Sequence, residues 1–285
     1  MLNEAYITKL FYREEPVPEG PYFLSLQIST DFFIYAVSTA NFTQIIELCH
    51  IALALPVNKQ DQLKDQVAFL VQNYILNRKK FDKVLVAFLN QDFNLVPQSF
   101  TLEDNVKPLL KFTTGLKDIK TAISHEIKGL KFCYTIEPGL LNYIEKTFVN
   151  ASVRHTGAVN IHLLFSQHSL SDKDTLICIH DGFIELLLKN NDAVQFYNVF
   201  HYQNDEDVLY YLLFTMEQFN INPLFVKIAI AGQRKVTDPL LKNLKKYIKH
   251  ISFCVHDREV SLQGELEKLP KHYYFTLLNQ HTCEL

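Results

Sequence analysis

The sequence predicts an α/β protein of two mixed-sheet domains, each built as strand-strand-strand-helix-strand. Three observations predict it. A chain of 285 residues makes about two domains at roughly 100–200 residues each. Apolar runs of strand length alternate with longer stretches whose apolar residues recur at the helical period. The order of these runs early in the chain returns late in the chain, which marks an internal duplication.

The clearer copy runs from Thr175 to Gly232. TLICIH is an apolar strand, Asp181-Gly182 a tight turn, and Phe183 to Leu188 the returning strand. The polar turn Lys189-Asn190-Asn191-Asp192 leads to a third strand around Val194 to Tyr202. An amphipathic helix and the buried strand LFVKIAIAG follow. In the earlier copy Tyr22 to Ile28 is the first strand, Ser29-Thr30-Asp31 turns the chain, and Phe32 to Val37 returns. Phe42 to Leu55 holds the third strand. Asp61 to Asn77 is the helix, with Leu63, Val67, Leu70, Val71 and Tyr74 on one face. Val84 to Leu89 is a short buried strand. Asp31 and Asp181, Phe33 and Phe183, Ile34 and Ile184, and Asn41 and Asn191 all stand 150 residues apart.

The remaining segments fit around the two copies. Residues 1–21 read as an irregular arm because Pro16, Pro18 and Pro21 cluster there. Between the copies, Phe93 to Phe100 reads as a strand and Leu102 to Phe112 as a helix interrupted at Pro108. Leu130 to Ile136 reads as a strand, and a helix opens at Pro138. Val159 to Phe165 forms a crossing helix, and Ser166 to Asp174 a polar linker. The domains are therefore expected at residues 1–168 and 169–285. Past the second copy, Pro239 opens a helix that turns Leu240, Leu244, Tyr247 and Ile248 inward and Lys242, Lys245, Lys246 and Lys249 outward. Ile251 to Val255 makes a last strand. The tail HYYFTLLNQHTCEL is expected to be tied down, since its aromatic and leucine side chains are costly to leave in water.

Composition narrows the function classes. Hydrophobic residues make up 48%, with 22 Phe, 14 Tyr and no Trp, enough for a core in each half. A net charge of −3 supplies no basic field for nucleic acid. Five scattered cysteines contain no Cys-x-x-Cys pair, so neither a zinc site nor a redox couple is expected. They read as reduced thiols of a cytoplasmic protein. The opening MLNEAYITKLFYREE lacks the apolar core of a signal peptide. No uncharged apolar run reaches about 18 residues, so no membrane span is expected.

Two copies of strand-strand-strand-helix-strand resemble the actin-like ATPase fold, the ribonuclease H-like plan shared by actin, sugar kinases and heat-shock chaperone ATPase domains. The segments IHDGFIELLL, YYLLFTMEQF and IAIAGQ and the terminal CEL are similar to a bacterial family catalogued as domain of unknown function 3822. That resemblance implies an actin-like fold with no established reaction.

Active members of the actin-like superfamily resemble one another in an Asp-x-Gly motif at each first hairpin. The glycine admits phosphate to backbone N–H groups and the aspartate positions hydrated Mg²⁺. Here Gln27 and Ser29 stand in those places at the first hairpin, with Asp31 further round the turn. At the second hairpin the same offset of 150 assigns Ile177 and Ile179, leaving His180, Asp181 and Gly182 beside them. A Gly-Gly that lets adenosine lie flat is reduced to Gly232 followed by Gln233. These eight polar and glycine positions, Gln27, Ser29, Asp31, His180, Asp181, Gly182, Gly232 and Gln233, form the candidate degenerate nucleotide cleft. No catalytic or metal-ligating residue is assigned.

Adjacent strand residues point to opposite faces. His180 and Asp181 are therefore expected to serve the hairpin or solvent rather than to form an acid-base pair. No Walker loop and no Gly-x-Ser-x-Gly is present. The sequence therefore predicts a non-catalytic binding or scaffold protein. Its partner would be another protein or a second copy. The alternative is an ATPase or small-molecule kinase with a rearranged phosphate site, for which ATP and Mg²⁺ would be the cofactors; turnover is expected to be weak or absent.

Overall fold

The computed structural model describes residues 6–14, 20–39, 42–53, 62–76, 81–100, 106–116, 118–256 and 261–283. The first described element is strand β1 (Tyr6–Arg13), which corrects the expectation of an irregular arm over those residues. β1 pairs antiparallel with β4 (Ile45–Leu53) across a bulge between Thr8 and Leu10. Pro16 and Pro18 lie outside the described residues, and Pro21 sits immediately before β2 (Tyr22–Ile28). Pro21 thus stands just outside the strand, where no ladder N–H is needed.

β2 pairs antiparallel with β3 (Phe32–Thr39), and β3 with β4. The third strand begins at Ile45 rather than Phe42, whose backbone is left-handed (φ 57°). Helix α1 (Leu63–Leu70) continues as a π-turn over Val71–Ile75. It covers the sheet and delivers the chain to β5 (Phe81–Phe88), which lies parallel to β2.

An insertion follows. β6 (Phe93–Pro97), helix α2 (Val106–Thr114), β7 (Ala122–Ile127) and β8 (Leu130–Thr135) make a three-stranded antiparallel sheet in the order β6-β8-β7. α2 runs through Pro108 instead of stopping there. Pro108 is its third residue, so its missing N–H is one of the first-turn donors that has no intrahelical partner anyway. Helix α3 (Pro138–Thr147) and β9 (Ala151–His155) complete the first large sheet. β7 and β9 escape sequence reading because they are short and half-buried, with polar residues on both faces.

Helix α4 (Thr156–Ser166) crosses to the second large sheet. That sheet holds β10 (Thr175–Ile179), β11 (Phe183–Asn190), β12 (Ala193–His201), β13 (Lys227–Gly232) and β14 (His250–Phe253). Helix α5 (Asp205–Gln218) links β12 to β13, and α6 (Pro239–Tyr247) links β13 to β14. α6 buries Leu240, Leu241 and Leu244, while Tyr247 turns outward at 49% exposure rather than inward.

The two large sheets share one plan. The first runs β1-β4-β3-β2-β5-β9 and the second β12-β11-β10-β13-β14. Apart from β1, each is ordered third-second-first-fourth-fifth, with a parallel pair where the helix crosses over. This is an actin-like α/β architecture. α1 and α3 cover the outer face of the first sheet, and α5 and α6 that of the second. Between the sheets lie α4 and the short C-terminal helix α7 (Phe275–Asn279), which touches β2, β3 and β13. The tail is tied down as expected, with Phe275, Leu277 and Leu278 buried.

The register of the two hairpins corrects the sequence offset. Ser29 N donates to Phe32 O at 3.0 Å, and His180 N donates to Phe183 O at the same distance. Equivalent turn residues therefore stand 151 apart, not 150. Gln27 and Ser29 correspond to Cys178 and His180, and Asp31 corresponds to Gly182.

Candidate functional site

The two hairpin turns meet between the sheets. In the first, Ser29 is buried and its Oγ accepts from Asp31 N at 3.0 Å and Phe32 N at 3.1 Å. The hydroxyl thus occupies the turn donors that a phosphate would need. Asp31 is half-buried, and its carboxylate accepts from Thr30 Oγ1 at 2.8 Å. Gln27 is 3% exposed on β2, and its amide nitrogen has no hydrogen-bond partner among the described residues.

In the second turn Gly182 adopts φ 85°, the value the third position of a type II turn requires. Asp181 points to solvent and pairs with Lys9 of β1 at 3.6 Å. His180 points inward, so the structure separates the two residues as strand geometry demands. Tyr202 OH donates to His180 O at 2.6 Å and accepts from Arg234 at 2.8 Å. Arg234 also reaches Asp238 at 3.2 Å. The Gln233–Arg234 loop is thereby tied to the back of the second hairpin.

Aromatic rings fill the space between the turns. Phe32, His180 and Phe183 stack mutually, with centroids 4.8–5.8 Å apart and planes within 24–26°. His50 meets Phe32 edge-on, and its Nδ1 lies 3.2 Å from Tyr274 OH. Phe32 and Phe183 are each 3% exposed.

Beneath His180 lies a buried polar centre that sequence reading missed. Glu185, 1% exposed on β11, receives His180 Nε2 at 2.9 Å and Tyr197 OH at 2.7 Å. Thr156 Oγ1 and Asn160 Nδ2, both on α4, each reach it at 3.0 Å. Thr276 of α7 then donates to Asn160 Oδ1 at 2.7 Å. Burial pushes the Glu185 carboxyl up, but the hydrogen bond and charge of His180 and the Tyr197 hydroxyl outweigh it and hold it below the usual range. The only sequence signal was a lone glutamate inside the apolar run FIELLL. His180 stands five residues before it, but Thr156 and Asn160 come from 29 and 25 residues away, which no local pattern reveals.

Gly232 lies at the end of β13, where its backbone pairs with Ile179. Its φ is 109°, and a Cβ there would fall 1.9 Å from Ile179 O. Its N–H donates to His272 O at 3.0 Å, so the C-terminal segment covers it. Gln233 follows, half-buried.

Two adjoining cavities open at the carboxyl ends of β2 and β5. The larger, about 240 Å³, is lined by Thr30, Asn90, Asp92, Asp118, Lys120 and Glu137 among others. The smaller, about 120 Å³, runs from Ser29 and Asp31 to Phe183 and His201. Burial raises the Asp92 carboxyl, which lines both. Glu137 spends its carboxylate on the N-terminus of α3, accepting from Gly139 N at 2.8 Å and Leu140 N at 2.6 Å. Among the described residues, no group of three or more His, Cys, Asp or Glu is placed to hold a metal ion.

This architecture has a family. The chain belongs to the family described as Protein of unknown function (DUF3822), whose model matches residues 15–251. No curated protein matches it. Solved structures extend the likeness of this DUF3822 chain at the level of fold. A Bacteroides thetaiotaomicron protein with actin-like ATPase fold and unknown function superposes with a TM-score of 0.68 at 15% identity, covering 92% of this chain and 96% of its own. The PilM–PilN type IV pilus biogenesis complex contributes a chain with TM-score 0.62 at 11% identity, covering 93% and 98%. Ethanolamine utilization protein EutJ from Carboxydothermus hydrogenoformans gives 0.51 at 8%, covering 93% and 91%.

The structure thus brings Ser29, Asp31 and His180 to one seam, puts Asp181 outside it and sets Gly232 beneath the C-terminal segment. No helix of the described residues is long and apolar enough to cross a membrane.

Proposed function

We propose that this DUF3822 chain is a non-catalytic binding or scaffold protein whose actin-like cleft no longer accepts a nucleoside triphosphate. The stack of Phe32, His180 and Phe183 between the two hairpins carries this reading. A triphosphate and its hydrated Mg²⁺ would have to enter that seam, and doing so means unpacking three rings. The other two cradles are spent in the same way. Ser29 Oγ holds the first turn's N–H groups, and His272 O holds that of Gly232. Cation binding is also unsupported. Gln27 and Cys178 replace carboxylates at the two hairpins, and neither offers Mg²⁺ a charge. The residues present do not fit ATP with Mg²⁺.

The partner is read as a protein or a second copy, acting in the cytoplasm, with the domains divided near His168. A pilus-biogenesis complex among the chains of similar fold supports assembly as the use of this architecture. The reading is tested by titrating the intact chain with ATP and Mg²⁺ in a calorimeter and assaying phosphate release. No heat of binding at millimolar nucleotide and no Mg²⁺-dependent hydrolysis are expected. Saturable binding that Asp31→Ala abolishes would instead establish the ATPase or kinase alternative, with the smaller cavity as its site.

A further inference from the structure

The helical layer of the second sheet ends in a surface that the cleft does not explain. β13 and β14 run parallel, with Lys227 opposite His250. The loop that leads into β13 and the end of α6 that leads into β14 therefore open at the same end of the sheet. The loop before β13 and the last turn of α6 form one end of the molecule, opposite the hairpins. Phe225 is 74% exposed there, Leu224 55% and Tyr247 49%.

Acids at this end, Asp172, Asp174, Asp192 and Glu217, lie on other elements, whereas α6 is one-sided. The stretch Pro239–His250 carries four lysines, Lys242, Lys245, Lys246 and Lys249, and no acid. Among the described residues none of the four pairs with a carboxylate; Lys246 only reaches Asn243 at 2.9 Å. Across β13, Asp172 is already taken up by Lys173 at 2.8 Å and Lys227 at 3.7 Å.

We propose that this end is a docking surface for an anionic lipid bilayer. Phe225 and Leu224 would enter the headgroup region, Tyr247 would lie at its boundary, and the α6 lysines would meet lipid phosphates. Lysines beside exposed aromatic and leucine side chains are the pattern of interfacial attachment. The apolar residues stand exposed on a turn and a helix end, which suits a deformable plane better than a protein helix. A symmetric pairing of two copies through this end would set lysines against lysines. The surface is remote from the cleft, so the inference does not depend on whether the cleft takes a ligand.

The test is co-sedimentation of the full chain with phosphatidylcholine vesicles and with vesicles that also contain phosphatidylglycerol. At low salt we expect partition onto the anionic vesicles alone, weakening as salt rises. Each lysine near such a surface contributes about 1 kcal/mol. Combined Lys245→Gln, Lys246→Gln and Lys249→Gln should therefore cut partition by about a hundredfold. Phe225→Ser should lower it at every salt concentration. All four positions are exposed, so the variants should keep their melting temperatures, which a thermal scan checks. Failure to sediment with anionic vesicles overturns the proposal, as does binding that survives the triple substitution. Capture by immobilised polyglutamate without vesicle binding also overturns it, in favour of an acidic protein partner.

Discussion

The two hairpins close with the same hydrogen bond at the same distance but are built from different materials. The first is a polar turn. Ser29 Oγ caps two of its N–H groups, no residue in it has a positive φ, and its neighbours line two cavities. The second depends on Gly182 at φ 85°, and its inward residue, His180, stands on a fully buried carboxylate with four donors. A side chain holds one turn, and a deep polar centre holds the other. The first hairpin keeps an open side, while the second joins both sheets through α4 and α7. Perturbing the second should therefore cost more than perturbing the first.

The largest effect is expected at Glu185. Glu185→Ala leaves His180, Tyr197, Thr156 and Asn160 without their common acceptor inside the protein. Removing one member of such a buried centre costs about 3–5 kcal/mol. Urea denaturation should show a loss of unfolding free energy of that size. A loss below about 1 kcal/mol would mean that the hairpins do not differ in this way.

Acid provides the next effect. Burial lowers His50, behind the first hairpin, and His155, behind the second, from 6.5 to about 4, and does the same to His256. The unfolded chain takes up these protons below about pH 6.5 and the folded chain does not, so stability is complete above that value and falls as pH drops towards 4. One unit below the ordinary histidine value, each group costs about 1.4 kcal/mol, or about 4 kcal/mol for the three. His155 has a geometric reason as well. Its Nδ1 accepts from Gly157 N at 3.0 Å while Nε2 donates to Asn90 O at 3.1 Å, so a second ring proton would face a donor. Thermal scans between about pH 7 and pH 5 should show a steady fall in Tm. A flat profile would remove His155 from the comparison.

Much of the fold was legible in the sequence, and little of the site. The period-2 and period-3.6 runs exposed the paired strands and the helices because each buries a face against a sheet. β1 was hidden by the prolines that follow it, and β7 and β9 by mixed polarity on short, half-buried edge strands. The 150-residue offset matched Asp31 with Asp181, yet the turns align at 151, because identical letters in a turn say nothing about which residue closes it. Glu185 could not be assigned, since its meaning comes from Thr156, Asn160 and Tyr197, which only the tertiary fold brings to it. Gly232 reads in the sequence as the remnant of a nucleotide-binding Gly-Gly, whereas the close approach of Ile179 demands a glycine there.

Gly232→Ala should be the third effect. A Cβ placed 1.9 Å from Ile179 O forces β13 away from β10 at φ 109°, and overpacking of this kind costs about 1–3 kcal/mol on top of the backbone strain. The expected signature is a lower Tm with faster amide exchange at Ile179 and Gly232, and an unchanged Tm would show that the segment through His272 can slide aside.

The smallest effect is expected at Gly182, and it separates turn conformation from packing. Nothing lies within 4 Å of a Cβ built there, so Gly182→Ala meets only the left-handed backbone at φ 85°. That strain costs about 1–2 kcal/mol. Gly182→Asn should recover part of it, because asparagine tolerates the left-handed region by bonding its own backbone. Equal melting temperatures for the two variants would mean that the turn relaxes to another form. The second hairpin would then be held by the Glu185 centre and the stack of His180 and Phe183, without help from its own turn.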